Sequence, residues 1–162
     1  MSRRQIVVKV ADLAVGQGDD VLVTLGLGSC VAIMLHDPEG RVGGLAHVLL
    51  PSRALTRFSD RPAKFPQVAV PALLEQMAAL GASQRRIVAR LAGGASMFAS
   101  LAAPGTIQMG ERNLVAARQV LSAHHIPLVA EAVGGDFGRT VRMDCATGRV
   151  EVSTVAHGTS EI

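Results

Sequence analysis

The feature that most constrains this chain is an unbroken apolar run, Val31-Ala32-Ile33-Met34-Leu35. Within a few residues come Asp37-Pro38-Glu39-Gly40 and then Gly43-Gly44-Leu45-Ala46-His47-Val48. A strand with one wet face alternates polar and apolar residues. One that does not alternate must be covered on both faces. The intervening residues are turn formers with a mechanism, since Pro38 presets φ and Gly40 accepts a positive φ. The expectation is therefore a hairpin, Cys30–His36 returning over Gly43–Leu50 and ended by Pro51, with its first strand covered on both faces.

The remaining elements follow from local pattern. Strands are expected at Gln5–Ala11, Asp20–Thr24, Arg86–Leu91, Pro127–Val133, Arg139–Met143 and Arg149–Val155. Val70, Leu73, Leu74, Met77 and Leu80 recur at helical spacing, so Val68–Leu80 reads as a helix stopped by Gly81. Gly110–His124 reads as a second, with Leu114, Ala117, Val120 and Leu121 on one face. Ser52–Ala63 is polar, Arg-rich and aperiodic, and is expected to be a surface loop. Strand-rich ends with helices between them give an α/β sandwich of mixed or antiparallel sheet with flanking helices, in a single domain over residues 1–162.

Composition removes several functions. The 162 residues contain no Trp or Tyr and four Phe, so platforms for stacking nucleic-acid bases are essentially missing. The net charge of +3 comes from arginines spread along the chain, not from a basic stripe, so no nucleic-acid partner is expected. The N-terminal apolar run is too short for a signal or a membrane span, which places the chain in the cytoplasm by default and leaves Cys30 and Cys145 as free thiols.

Chemistry concentrates at the open end of the hairpin. Cys30 ends the glycine-rich run Thr24-Leu25-Gly26-Leu27-Gly28-Ser29, and His47 lies on the return strand. A thiol becomes a good nucleophile when a base takes its proton. The hairpin brings such a base near, and the backbone N–H groups of Ser29 and Cys30 are placed to receive an oxyanion. A catalytic Cys30 is expected to alkylate below the pH at which ordinary thiols react. A third group should orient the imidazole. Thr24 is the nearest in sequence, through its hydroxyl or its backbone carbonyl, although from the residues alone the reading as an ordinary strand threonine wins. A zinc site from Cys30, His47 and one of His36, His124, His125 or His157 lacks the usual ligand spacing, so neither metal nor cofactor is expected. Cys145 has no nearby His or Lys and reads as inert.

These residues also carry a resemblance. Thr24–Cys30 followed by Gly43-Gly44-Leu45-Ala46-His47-Val48-Leu49-Leu50-Pro51 resembles the signature of the CheD family, the chemoreceptor glutamine deamidases. Val70–Met77 resembles its long helix, Leu91–Phe98 its Gly-Gly-Ala loop and Met109–Asn113 its Ile-Gly-Glu-Arg-Asn motif. Gly134-Gly135 with Gly138-Arg139 and Asp144 resembles its last turn and strand. The resemblance implies that Cys30, His47 and Thr24 are catalytic. It also implies a fold shared distantly with the deamidase domain of cytotoxic necrotizing factor. The implied substrate is glutamine in the cytoplasmic helices of methyl-accepting chemotaxis receptors, with glutamyl methyl esters open to the same acyl chemistry. A CheC-type phosphatase is an implied partner, and a non-catalytic regulator binding through the same cleft is the alternative. Lys64-Phe65-Pro66-Gln67 departs from the family's pattern, which puts contacts near that segment in question. Arg57 and Arg61, in the loop before it, are expected to steer an acidic receptor surface toward Cys30.

Overall fold

The computed structural model describes residues 3–52 and 61–162. Among these, the elements in chain order are β1 (Gln5–Val7), β2 (Leu13–Gln17), β3 (Val21–Leu27), β4 (Val31–Asp37), β5 (Val42–Val48), α1 (Pro66–Ala79), β6 (Val88–Gly93), α2 (Met109–Ala123), β7 (Leu128–Val133), β8 (Arg139–Asp144), β9 (Val150–Thr154) and β10 (Gly158–Glu161). The strands form two five-stranded sheets, ordered β1-β3-β8-β9-β10 and β2-β5-β4-β6-β7. Both are mixed. β1 runs parallel to β3 and β6 parallel to β7, and every other pairing is antiparallel.

β4 is central, and its lack of alternation has the expected cause. Val31, Ile33 and Leu35 join a core with Val70, Leu73 and Met77 of α1 and Leu114, Ala117 and Leu121 of α2. Ala32 and Met34 point the other way, into a second core with Leu22, Val141, Met143, Val150 and Val152 of the facing sheet. The molecule is thus three layers deep, helices on sheet on sheet. Burying a large aliphatic side chain fully contributes roughly 1.5–3 kcal/mol, so a strand buried on both faces is stabilised from two directions.

The β4–β5 hairpin runs in register from Asp37↔Val42 to Val31↔Val48. Its turn differs from expectation in one residue. The positive φ belongs to Arg41 (52°), not to Gly40. Asp37 is the reason: its Oδ1 accepts the Glu39 and Gly40 N–H groups, and a Cβ on residue 40 would sit 2.9 Å from Oδ2. Gly40 is needed for space, so the left-handed residue falls one place later.

Two strands, β2 and β10, lie where none was expected. β2 pairs with β5 through Leu13↔Ala46, and β10 closes the outer edge against β9. Leu13-Ala14-Val15-Gly16-Gln17 is short and ends in small and polar residues, so periodicity could not mark it; β5 supplies its ladder. The Lys64–Gln67 departure is absorbed locally. Pro66 opens α1, where a missing N–H costs nothing, and Gln67 Nε2 donates to the Pro51 carbonyl at 2.8 Å.

Candidate active site

The chain crosses from one sheet to the other between β3 and β4, and Cys30 lies at that crossing. Three glycine-containing segments meet there. Ala95 N–H donates to the Gly28 carbonyl (2.9 Å), Gly94 N–H to the Cys30 carbonyl (2.8 Å), Ser96 N–H to Gly135 and Gly134 N–H to Gly93. Gly93 has φ +102°, and a Cβ on it would lie 2.3 Å from the Cys30 carbonyl oxygen. Any side chain there would push the Cys30 segment out of place. Gly110 makes a similar close approach a layer further out, since a Cβ on it would meet the Ala95 carbonyl at 2.4 Å. Sequence motifs that lie far apart along the chain thus become one cradle behind the thiol.

Cys30 is 9% exposed, whereas His47 and Thr24 are fully buried. His47 pairs with Ala32 in the hairpin, so it points into the layer between the sheets, where Cys30 also lies. Continuing the ladder one step places Cys30 opposite Leu49 and diagonal to His47, a separation of about 7 Å along a pleated face. Cys30 and His47 are therefore same-face diagonal neighbours. No hydrogen bond joins them, and His47 Nε2 has no partner at all.

Thr24 reaches across from β3 in the other sheet. Its Oγ1 lies 2.7 Å from His47 Nδ1 and 2.6 Å from the Val8 carbonyl oxygen. A carbonyl can only accept, so the single hydroxyl proton of Thr24 goes to Val8. Oγ1 must then accept from His47 Nδ1–H. That fixes the tautomer: Nδ1 carries the proton and Nε2 carries a lone pair, unpaired inside the protein. Of the two ways Thr24 was expected to orient the ring, the hydroxyl is the one in contact.

Burial pushes the His47 pKa down to about 4, so the ring is a neutral base across the physiological range. Burial also pushes the Cys30 thiol up, partly offset by its own backbone N–H. The resting pair is thus thiol and neutral imidazole, not thiolate and imidazolium. Both directions run against the expectation that Cys30 alkylates at unusually low pH.

The peptides on either side of Ser29 are anchored through their carbonyls. The carbonyls of Gly28 and Ser29 are held by Ala95 N–H and by Asn113 Nδ2 (2.9 Å). A trans peptide sends its N–H opposite to its C=O. The Ser29 and Cys30 N–H groups therefore point away from those anchors, and among the described residues neither donates a loop or turn hydrogen bond. Asn113, in α2, is fully buried, and its Nδ2 also donates to Leu49 O (3.2 Å), while its Oδ1 has no partner. Leaving such an acceptor dry costs roughly 1–3 kcal/mol. Asn113 received no individual role in the sequence, although it closes the Met109–Asn113 motif. Asn is unremarkable inside a helix, and only its reach to two carbonyls singles it out.

Other candidates fall elsewhere. His36 lies toward the opposite end of the hairpin, with Nε2 2.8 Å from the Cys145 carbonyl, and His157 packs against Phe137 in a tilted contact with ring centres 4.4 Å apart. Among the described residues, no three His, Cys, Asp or Glu side chains gather as a metal site. Burial pushes the Cys145 thiol up to about 12. Arg57 lies outside the described residues, and Arg61 is exposed. No helix among the described residues is long and apolar enough to cross a membrane.

Fold and site together define a two-sheet α/β sandwich with thiol, imidazole and hydroxyl gathered at one end of the inter-sheet layer. Residues 49–154 match the family model described as CheD chemotactic sensory transduction. A Clostridium botulinum (strain Hall) protein named probable chemoreceptor glutamine deamidase CheD is 43% identical over 164 residues, covering 100% of both chains. One from Caldanaerobacter subterraneus subsp. tengcongensis with the same name is 39% identical over 162 residues, again covering 100% of both. This chain belongs to the CheD family. Among solved structures, a Neisseria meningitidis protein matching the family model DUF152 superposes with a TM-score of 0.51 at 11% identity, covering 83% of this chain. The chain spans 65% of that protein's length, and the likeness is one of fold.

Proposed function

We propose that this chain deamidates glutamine side chains in the cytoplasmic helices of methyl-accepting chemotaxis receptors, with Cys30 as nucleophile, His47 as base and Thr24 as the group that orients His47. One observation carries this reading. The Thr24–His47 bond leaves a lone pair on Nε2, unpaired and on the same face as Cys30.

His47 Nε2 takes the thiol proton as Cys30 Sγ attacks the carboxamide carbon. The C=O electron pair moves to oxygen, and the N–H groups of Ser29 and Cys30 receive it. When the tetrahedral species collapses, the C–N bond breaks, and ammonia leaves with the proton from His47. A γ-glutamyl thioester remains on Cys30. Water then gives a proton to His47 and attacks the thioester, which releases glutamate and restores the thiol. A glutamyl methyl ester would follow the same course with methanol as the leaving group. A resting thiol suits this scheme, because the proton moves during attack and no buried ion pair must be kept beforehand.

Arg57 and Arg61 are proposed to draw an acidic receptor surface toward the thiol, and a CheC-type phosphatase is the proposed partner. Receptor helices of this kind require action in the cytoplasm. The test is mass spectrometry of a receptor cytoplasmic fragment incubated with the protein. The expected result is conversion of particular glutamines to glutamate, absent with Cys30→Ala. A Cys30→Ala protein that still deamidates would remove the covalent mechanism. A wild-type protein that binds receptor without converting any glutamine would favour the non-catalytic regulator.

A further inference from the structure

We propose that Asn113 is a second positioning residue of this site: by holding the Ser29 carbonyl it turns the Ser29–Cys30 peptide so that the Cys30 N–H faces the reacting carbonyl. The proposal rests on the reading of Cys30 as nucleophile.

Three features of the geometry support it. First, the two Nδ2 hydrogens of Asn113 go to the carbonyls of Ser29 and Leu49. Ser29 precedes the nucleophile, and Leu49 is its partner one step beyond the Val31↔Val48 pair that ends the ladder. One amide group therefore staples both strands where the ladder can no longer do so. Second, a planar trans peptide points its N–H opposite to its C=O. Anchoring the Ser29 oxygen on α2 aims the Cys30 N–H away from α2. That is the side of the thiol, since Cys30 packs in the layer between the sheets and α2 packs on the other face of β4. Third, the orientation of the amide is not arbitrary. Exchanging Oδ1 and Nδ2 would set an acceptor against two carbonyl oxygens, so Oδ1 must be the atom left without a partner. A fully buried side chain with an orphaned acceptor is retained where its donors are required.

The prediction separates reactions that need an oxyanion donor from those that do not. Amide attack develops negative charge on oxygen; alkylation of a thiol by iodoacetamide does not, because iodide leaves as sulfur bonds to carbon. Wild type, Asn113→Ala, Asn113→Asp and Cys30→Ala are compared on a receptor cytoplasmic fragment, with iodoacetamide alkylation of Cys30 measured at one fixed pH. We expect kcat to fall about 100-fold in both Asn113 variants. KM and the alkylation rate should stay within about twofold of wild type, as for an interaction made only in the transition state. If kcat stays within about threefold of wild type, or if kcat and alkylation fall by the same factor, the proposal is overturned. Asn113→Ser, which keeps one donor, should recover some of the lost kcat. Failure of all three Asn113 variants to fold would also count against the proposal, because it would make Asn113 a folding residue. Deamidation by Cys30→Ala at the wild-type rate would remove the nucleophile reading itself. An inactive Cys30→Ala beside a fully active Asn113→Ala would overturn only the role of Asn113.

Discussion

The two ends of the β4–β5 hairpin treat buried polar groups in opposite ways. At the turn, the Asp37 carboxylate is fully buried and every need is met. It accepts the N–H groups of Glu39, Gly40 and Ser83 and a two-pronged contact from Arg86 at 2.9 and 2.8 Å. The Arg86 guanidinium holds the Asp37 carboxyl well below the usual carboxylate range. At the open end, His47 Nε2 and Asn113 Oδ1 are buried without partners. A satisfied network stabilises and rigidifies, whereas an unsatisfied one costs stability and persists where a bound molecule can complete it. One hairpin thus carries satisfied polar groups at one end and unsatisfied ones at the other.

The comparison breaks most visibly at Cys30. Cys30→Ala should lower receptor deamidation by more than about 1000-fold, with His47→Ala nearly as damaging because members of one catalytic unit are not additive. Cys30→Ala should keep its urea midpoint close to that of the parent protein. A large stability loss in Cys30→Ala would mean that the open end is also an anchor.

Asp37→Ala is the mirror experiment. It strands three N–H groups and the Arg86 guanidinium, and should cost of order 3 kcal/mol in urea unfolding. Deamidation per folded molecule should be unchanged. Because the Asp37 pKa is lower folded than unfolded, its contribution is present above about pH 4 and lost as pH falls below that.

Thr24→Val tests the link between the sheets. It removes the acceptor for His47 Nδ1–H and the donor to Val8, and should cut kcat/KM by about 10- to 100-fold, with Thr24→Ser close to wild type. Equal activity in the Val variant would assign ring orientation to some other group.

The pH profile gives a smaller effect. With the His47 pKa at about 4 in the folded state against 6.5 for an ordinary histidine, the base form is retained well below neutrality. The acid limb of kcat/KM should therefore fall near pH 4–5, not near 6.5. In the same window the unfolded chain binds the proton that the native chain refuses, so stability should decline as pH drops from 6.5 toward 4. An acid limb at 6.5 would mean that substrate entry hydrates the ring.

Charge reversal at Arg57 and Arg61 together is expected to act least, slowing receptor deamidation several-fold at low salt and hardly at all at high salt. Rates unmoved at low ionic strength would free this loop from any role in docking.

Local chemistry in the sequence was enough for the central hairpin, for both helices and for Cys30 and His47 lying on one face of that hairpin. An apolar run without alternation can be buried only from two sides, and Pro38 and Gly40 allow little but a turn between the strands. The tertiary structure alone decided four things: which layers cover the hairpin, that Leu13–Gln17 becomes a strand, that Thr24 meets His47 through its hydroxyl, and that Asn113 reaches the turn before Cys30. Each depends on a partner distant in sequence, at 16 residues for Val8 and Thr24, 23 for Thr24 and His47, and 84 for Ser29 and Asn113. A hydrogen bond is directional and short in range, so residue type can announce that a donor exists. Only the packed layers determine which acceptor it meets.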